Sequence, residues 1–214
     1  MYVRNRLYII GARGFGRELA LWLPMWPGFC DRYSIEGFLD DNPDILNGFP
    51  GYPPIVDSVE AYRPKDGDVF VCGLGKVEWR KKYIDIMLGK GAAFETLVCP
   101  YACVFPTARL GIGCLINGTA AVSADTEVGD FVLVHSHATL SHDVKVGTHA
   151  VIENGAFVGG GAVIGSRTTV HTRAIVLPSQ KVGDDAVVGS GSVVIRNVKS
   201  GTIVFGNPAE RIDG

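Results

Sequence analysis

Every sixth residue from Val98 to Val194 is Val, Leu or Ile, seventeen positions in one register with no exception. Apolar residues make up 47% of the chain. Such a run would arise by chance only about three times in a million, which settles the period. A short fixed period of aliphatics is the signature of a β-solenoid, and it decides the fold of half the chain. A second, longer period lies inside the first. Gly111, Gly129, Gly147, Gly165 and Gly183 each follow a ladder aliphatic and stand 18 residues apart. Three six-residue steps therefore close one coil. Small residues two positions before most aliphatics, such as Ala102, Ala120, Ala138 and Ala156, leave room for tight corners, with Val132, Val144 and Gln180 as exceptions. Coils stacked at about 4.8 Å make this a prism roughly 25 Å long.

The residues before the ladder follow another rule. Leu7 to Ile10 is a short apolar run, followed by Gly11-Ala12-Arg13-Gly14-Phe15-Gly16 and a helical pattern from Phe15 to Leu23 that Pro24 stops. Ile35 to Leu39 and Asp68 to Cys72 read as further strands, Val77 to Lys90 as a helix with basic residues on one side, and Phe94 to Val98 as a last strand. Strand and helix in alternation predict a parallel sheet with helices packed on it. The expected organisation is an α/β domain over 1–97, a parallel β-helix over 98–195 and a tail over 196–214 that caps one open end.

Composition narrows the function classes. A net charge of −2 with no basic run argues against nucleic acid as a partner. Five cysteines without a CxxC pair read as free thiols in a reducing compartment. Leu7 to Ile10 is too short for a signal sequence, and Leu19 to Trp26 is too short to span a membrane and contains Pro24. The expectation is a cytoplasmic protein with no membrane partner.

Two constellations could carry chemistry. All five histidines lie in the solenoid, and His142 is followed at once by Asp143. A carboxylate beside an imidazole raises its basicity and fixes its tautomer, as a general base requires. Neighbouring side chains of a strand point to opposite faces, so this pair can cooperate only at a corner. The second constellation is the loop Gly11, Arg13, Gly14 and Gly16 between strand and helix, where backbone amides and the helix dipole favour phosphate. Its spacing is GxxGxG, not the dinucleotide GxGxxG. Asp40 and Asp41, at the end of the next strand, stand where an acid binds ribose or base, and the short domain suits one nucleotide rather than two. His137 and His142 form H-x4-H, but a catalytic zinc needs three protein ligands, and Tyr101 and Pro106 occupy the positions two coils earlier. No metal is expected.

In order and spacing, Ile9-Ile10-Gly11-Ala12-Arg13-Gly14-Phe15-Gly16-Arg17-Glu18, Gly37-Phe38-Leu39-Asp40-Asp41, the uninterrupted hexapeptides with Ser141-His142-Asp143, and Phe205-Gly206-Asn207-Pro208-Ala209 together resemble one family. It is the bacterial nucleotide-sugar acetyltransferases of the hexapeptide-repeat superfamily, of the sialic-acid O-acetyltransferase-like and bacillosamine-pathway N-acetyltransferase type. The resemblance implies a left-handed β-helix, a homotrimer, acetyl-CoA in the cleft between two solenoids and a nucleotide sugar on the N-terminal domain. It also implies His142 as base, Asp143 as its acidic partner and the Gly160 amide as the group that polarises the thioester. Asp40 and Asp41 would hold the nucleotide, with Gly11 to Gly16 near its phosphates. The chain departs where the family often has Asn seven residues before the base and His nine after it, since His135 and Val151 stand there. The function expected is N-acetylation of a nucleotide-linked amino sugar, a 4-amino-4,6-dideoxyhexose. Sugar O-acetylation and a non-catalytic nucleotide-sugar-binding role are the alternatives.

Overall fold

The computed structural model describes residues 4–212, which divide into two compact units between Glu95 and Thr96. In the first unit, strands β1 (Asn5–Ile10), β2 (Tyr33–Leu39), β3 (Ile55–Asp57), β4 (Asp68–Cys72) and β5 (Ala93–Phe94) form one parallel sheet in the order β3-β2-β1-β4-β5. Helix α1 (Gly14–Trp22) and the one-turn helix α2 (Phe29–Arg32) lie between β1 and β2, and α3 (Val77–Leu88) joins β4 to β5. Leu7, Ile9, Ile10 and Phe70 have no exposed surface, because a parallel strand between helices is covered on both faces. The chain leaves β1 toward β2 on one side and returns as β4 on the other, so a crevice opens at the carboxyl ends of β1 and β4.

Three readings of this unit need correction. β3 and α2 were not foreseen, because three or four residues are too few to show a period. The expected strand Phe94 to Val98 is two: Ala93–Phe94 pairs with β4, while Leu97–Val98 pairs with Leu115–Ile116. Arg80 does not share the exposed basic side of α3. It is fully buried with Val77, Ile84 and Met87, and its guanidinium donates to the carbonyls of Cys72 and Leu74, each at 2.9 Å.

The second unit is the left-handed parallel β-helix. Seventeen two-residue strands from Leu97–Val98 to Val193–Val194, three to a coil, make just under six coils. Each of the first fourteen pairs with the strand 18 residues on, as Ala121↔Thr139, Glu127↔Lys145 and Leu133↔Val151 show for the three sides. The ladder aliphatics stack inside together with the small residues, and the exceptions Val132 and Val144 are buried with them. The corners are made by residues three after a ladder position, among them Asp125, Phe131, His137, Asp143, His149 and Arg167, all left-handed at φ between 58 and 61°. That conformation is costly for a side-chain-bearing residue and is spared only to Gly, Asn and Asp. The tail leaves the repeat, as its sequence indicates. Ile203–Phe205 pairs beside Val187–Val188 with a 16-residue step, and Val204 closes over the end of the core.

Candidate active site

At the carboxyl ends of β1, β2 and β4 the α/β unit holds a cleft of about 600 Å³. One wall is the β1–α1 loop, with Gly11 and Arg13. Gly11 has φ +90°, and a side chain there would strike Leu74. Gly16 is buried and does not line the cleft: a Cβ on it would stand 1.9 Å from the Gly11 carbonyl oxygen, so it sets how closely α1 packs on the loop. Gly14, at the start of α1, is exposed with open space around it, and the first turn carries neither a side-chain cap nor an acidic residue. Such a helix end suits an anion.

Asp40 and Asp41 line the back of the cleft, and both are already engaged. Asp40 accepts hydrogen bonds from the amides of Ala12 at 2.9 Å and Asn42 at 3.0 Å. Asp41 accepts one from the amide of Val59 at 3.2 Å and one from the Tyr83 hydroxyl at 2.5 Å. The bond to Asp41 holds the Tyr83 phenol protonated, with its pKa pushed up to about 12. The adjacent carboxylates therefore tie the glycine loop on one side to α3 on the other. The α3 wall was missed in the sequence: Gly73, Leu74, Gly75, Lys76, Trp79 and Tyr83. Its signal was a second apolar strand running into glycines and then a helix, a repeat of the pattern at Gly11. The buried Arg80 holds this second loop by its carbonyls.

In the solenoid, Asp143 occupies a left-handed corner, which turns its side chain back to its neighbour. His142 Nδ1 lies 2.7 Å from Asp143 Oδ2, and both side chains are exposed. The carboxylate accepts from Nδ1, leaving Nε2 to act. The imidazole rests on the next coil: a Cβ on Gly160 would come within 2.6 Å of the ring. The amide of Gly161 bonds the His142 carbonyl at 2.9 Å, whereas no bond from the Gly160 amide occurs among the described residues. The imidazole thus lies against a glycine whose amide makes no bond among the described residues.

The other histidines are used differently. His137 bonds Thr119 across a separate corner at 2.6 Å, His149 is buried in a stack with Phe131, and His171 pairs with Glu153 at 3.0 Å. His135 is half-buried, with its amide on the Ile152 carbonyl, and Val151 is buried. Among the described residues no group of three or more His, Cys, Asp or Glu could hold a metal ion, and no helix is long and apolar enough to cross a membrane.

Residues 6–87 match the family model of the PglD N-terminal domain, and residues 125–160 match that of the bacterial transferase hexapeptide (six repeats). No curated protein sequence matches the chain. Among solved structures it is similar to PerB from Caulobacter crescentus, in complex with CoA and GDP-perosamine, with 25% identity, 97% of each chain covered and a TM-score of 0.86. It is also similar to the acetyltransferase domain of PglB from Neisseria gonorrhoeae, with 27% identity, 98% of this chain and 100% of that one covered, and a TM-score of 0.87. The same domain has been solved in complex with acetyl coenzyme A, at 27% identity and a TM-score of 0.86.

Proposed function

Because the chain belongs to the bacterial hexapeptide transferases that carry a PglD N-terminal domain, we propose that it transfers the acetyl group of acetyl-CoA to the amino group of a nucleotide-linked sugar, a 4-amino-4,6-dideoxyhexose. One observation carries the reading: the His142 imidazole, held through Nδ1 by Asp143, lies against Gly160, whose amide makes no bond among the described residues. The complexes of PerB with CoA and GDP-perosamine, and of the PglB domain with acetyl coenzyme A, support the two substrates.

In this reading the amine nitrogen attacks the thioester carbonyl carbon. Nε2 of His142 takes the amine proton as the C–N bond forms, and Asp143 stabilises the resulting imidazolium. The Gly160 amide donates to the oxygen that gains charge. The C–S bond then breaks, and coenzyme A leaves as a thiol after taking up a proton. The acetyl group passes directly to the acceptor, so initial rates follow a sequential pattern. Phosphates lie along Gly11, Arg13 and Gly14, with Gly16 setting the loop from behind, while Asp40 and Asp41 orient the ribose and base.

Self-association is part of the proposal. Phe157, Ile175, Leu177 and Ile195 are exposed along one side of the solenoid, an apolar row that a homotrimer would cover. None of the five thiols forms a disulfide, which suits a reducing cytoplasm. The deciding assay is release of coenzyme A from acetyl-CoA with a panel of amino- and hydroxy-sugar nucleotides. Turnover with 4-amino sugars alone is expected. Turnover with hydroxy sugars alone would replace N- by O-acetylation, and failure to bind acetyl-CoA in calorimetry would leave a binding protein only.

A further inference from the structure

The cleft has one feature that phosphate and sugar do not need. Trp79 stands on its α3 wall with 50% of its surface exposed. The packing of α3 does not require it, because the helix buries Val77, Arg80, Ile84 and Met87 on its other side. Trp79 and Tyr83 are one helical turn apart, and their rings stack at 6.1 Å between centroids with 22° between planes. The Tyr83 hydroxyl is fixed on Asp41, and the Lys82 ammonium stands 5.5 Å from the Trp79 ring and 4.9 Å from the Tyr83 ring. The result is an exposed aromatic pair on the cleft wall, tethered through the Tyr83 hydroxyl, beside a carboxylate that can accept from a donor on a ring edge. Across the cleft the glycine loop adds Phe15 to the lining, but the first turn of its helix has no acid and no side-chain cap, and so suits phosphate. Asp40 and Asp41 join the two walls at adjacent positions.

We infer that Trp79, backed by Tyr83, is the platform on which the nucleobase of the sugar nucleotide stacks, with Asp41 facing the N–H donors of the base edge. The inference rests on the nucleotide-sugar reading above and adds to it the end of the cleft that holds the base. Every nucleobase has a π-face, so a stacking platform binds without demanding one sequence of donors. A bicyclic purine covers more of an indole than a pyrimidine does.

The test is calorimetric titration of the full chain with GDP, UDP and inorganic pyrophosphate, for the wild type, W79A and W79F. W79A is expected to bind both nucleotides about 5- to 150-fold more weakly, the usual loss for one stacked base. GDP should lose more than UDP, W79F should recover most of the affinity, and pyrophosphate should bind all three proteins alike. Equal nucleotide affinity in the wild type and W79A overturns the platform and leaves the nucleotide reading standing. Absence of nucleotide binding in the wild type overturns both. Should W79A unfold, tryptophan fluorescence decides: saturating GDP is expected to quench the wild type and not W79F. A quench that survives in W79F assigns the response to Trp22 or Trp26 and overturns the platform.

Discussion

The two units hold their functional residues in place by different means. In the solenoid, position follows from counting: a residue stacks on the one 18 places away, whatever its type, as Leu140 on Val158 and Val146 on Ile164 show. In the α/β unit, position follows from contact. The two loops of the cleft are where they are because Gly16 touches Gly11, Asp40 holds Ala12, and Arg80 holds Cys72 and Leu74. A counted site can lose its chemistry and keep its frame, whereas a contact-built site loses frame and chemistry together.

The sharpest way to break this contrast is His142→Ala. The side chain is exposed and its removal uncovers no core. A positioned base contributes about 10²–10⁴-fold, so kcat should fall by that factor while KM for acetyl-CoA and the melting temperature stay near wild type. Steady-state kinetics with the sugar nucleotide checks this. A variant with near-normal kcat would remove His142 from the chemistry, and one that melts early would show that the corner depends on it.

Legibility divides along the same line. The ladder alone placed Gly160 one coil after His142, and the structure has the imidazole lying on that glycine. The Asp143 corner was not legible in the same way. A side chain in the left-handed region is decided by the closure of the coil rather than by its own preference, and Phe131, His137 and Arg167 accept the same conformation. In the α/β unit the strands and helices were readable from apolar runs and glycines, to within about two residues at most ends. The α3 wall of the cleft was not. Trp79 and Tyr83 matter through the direction in which α3 presents them, and Arg80 looked like one more surface base until its carbonyl partners were known. Sequence shows that glycines stand after β1, and it does not show that Gly16 serves packing while Gly14 is open.

One substitution made in both units tests the contrast directly. Gly16→Ala drives a methyl group into the Gly11 main chain, which can yield only by moving the loop. Overpacking of this kind costs roughly 3 kcal/mol, so the first transition on heating should fall by several degrees and nucleotide affinity should drop with it. Gly160→Ala instead meets the ring of His142, an exposed side chain that can swing away. Its melting curve should match wild type while kcat falls about 10- to 100-fold, because the base leaves its position. Thermal melts and kinetics on both variants read the difference, and equal destabilisation of the two would erase it.

The smallest effect concerns a counted position that titrates. Glu153 and His171 stand one coil apart, with the imidazole Nδ1 3.0 Å from the carboxylate; Thr172 donates its amide and hydroxyl to the same oxygen, and His135 precedes Glu153 in the column. The hydrogen bond to Glu153 raises the His171 pKa above its usual 6.5, against the pull of burial. The bond to His171 likewise lowers the Glu153 pKa below its usual 4.5. For His171 the stabilisation is complete below about 6.5 and is lost as the pH rises through the raised value; for Glu153 it is complete above about 4.5 and is lost as the pH falls through the lowered value. The pair therefore contributes most between these two values. His171 is partly exposed, so the contribution is screened to less than about 1 kcal/mol. Glu153→Gln should lower the melting temperature by about 2 °C at pH 5.5 and by less at pH 8.5, which differential scanning calorimetry resolves. A difference that grows toward pH 8.5 would mean that Glu153 acts through Thr172 and the coil rather than through the imidazole.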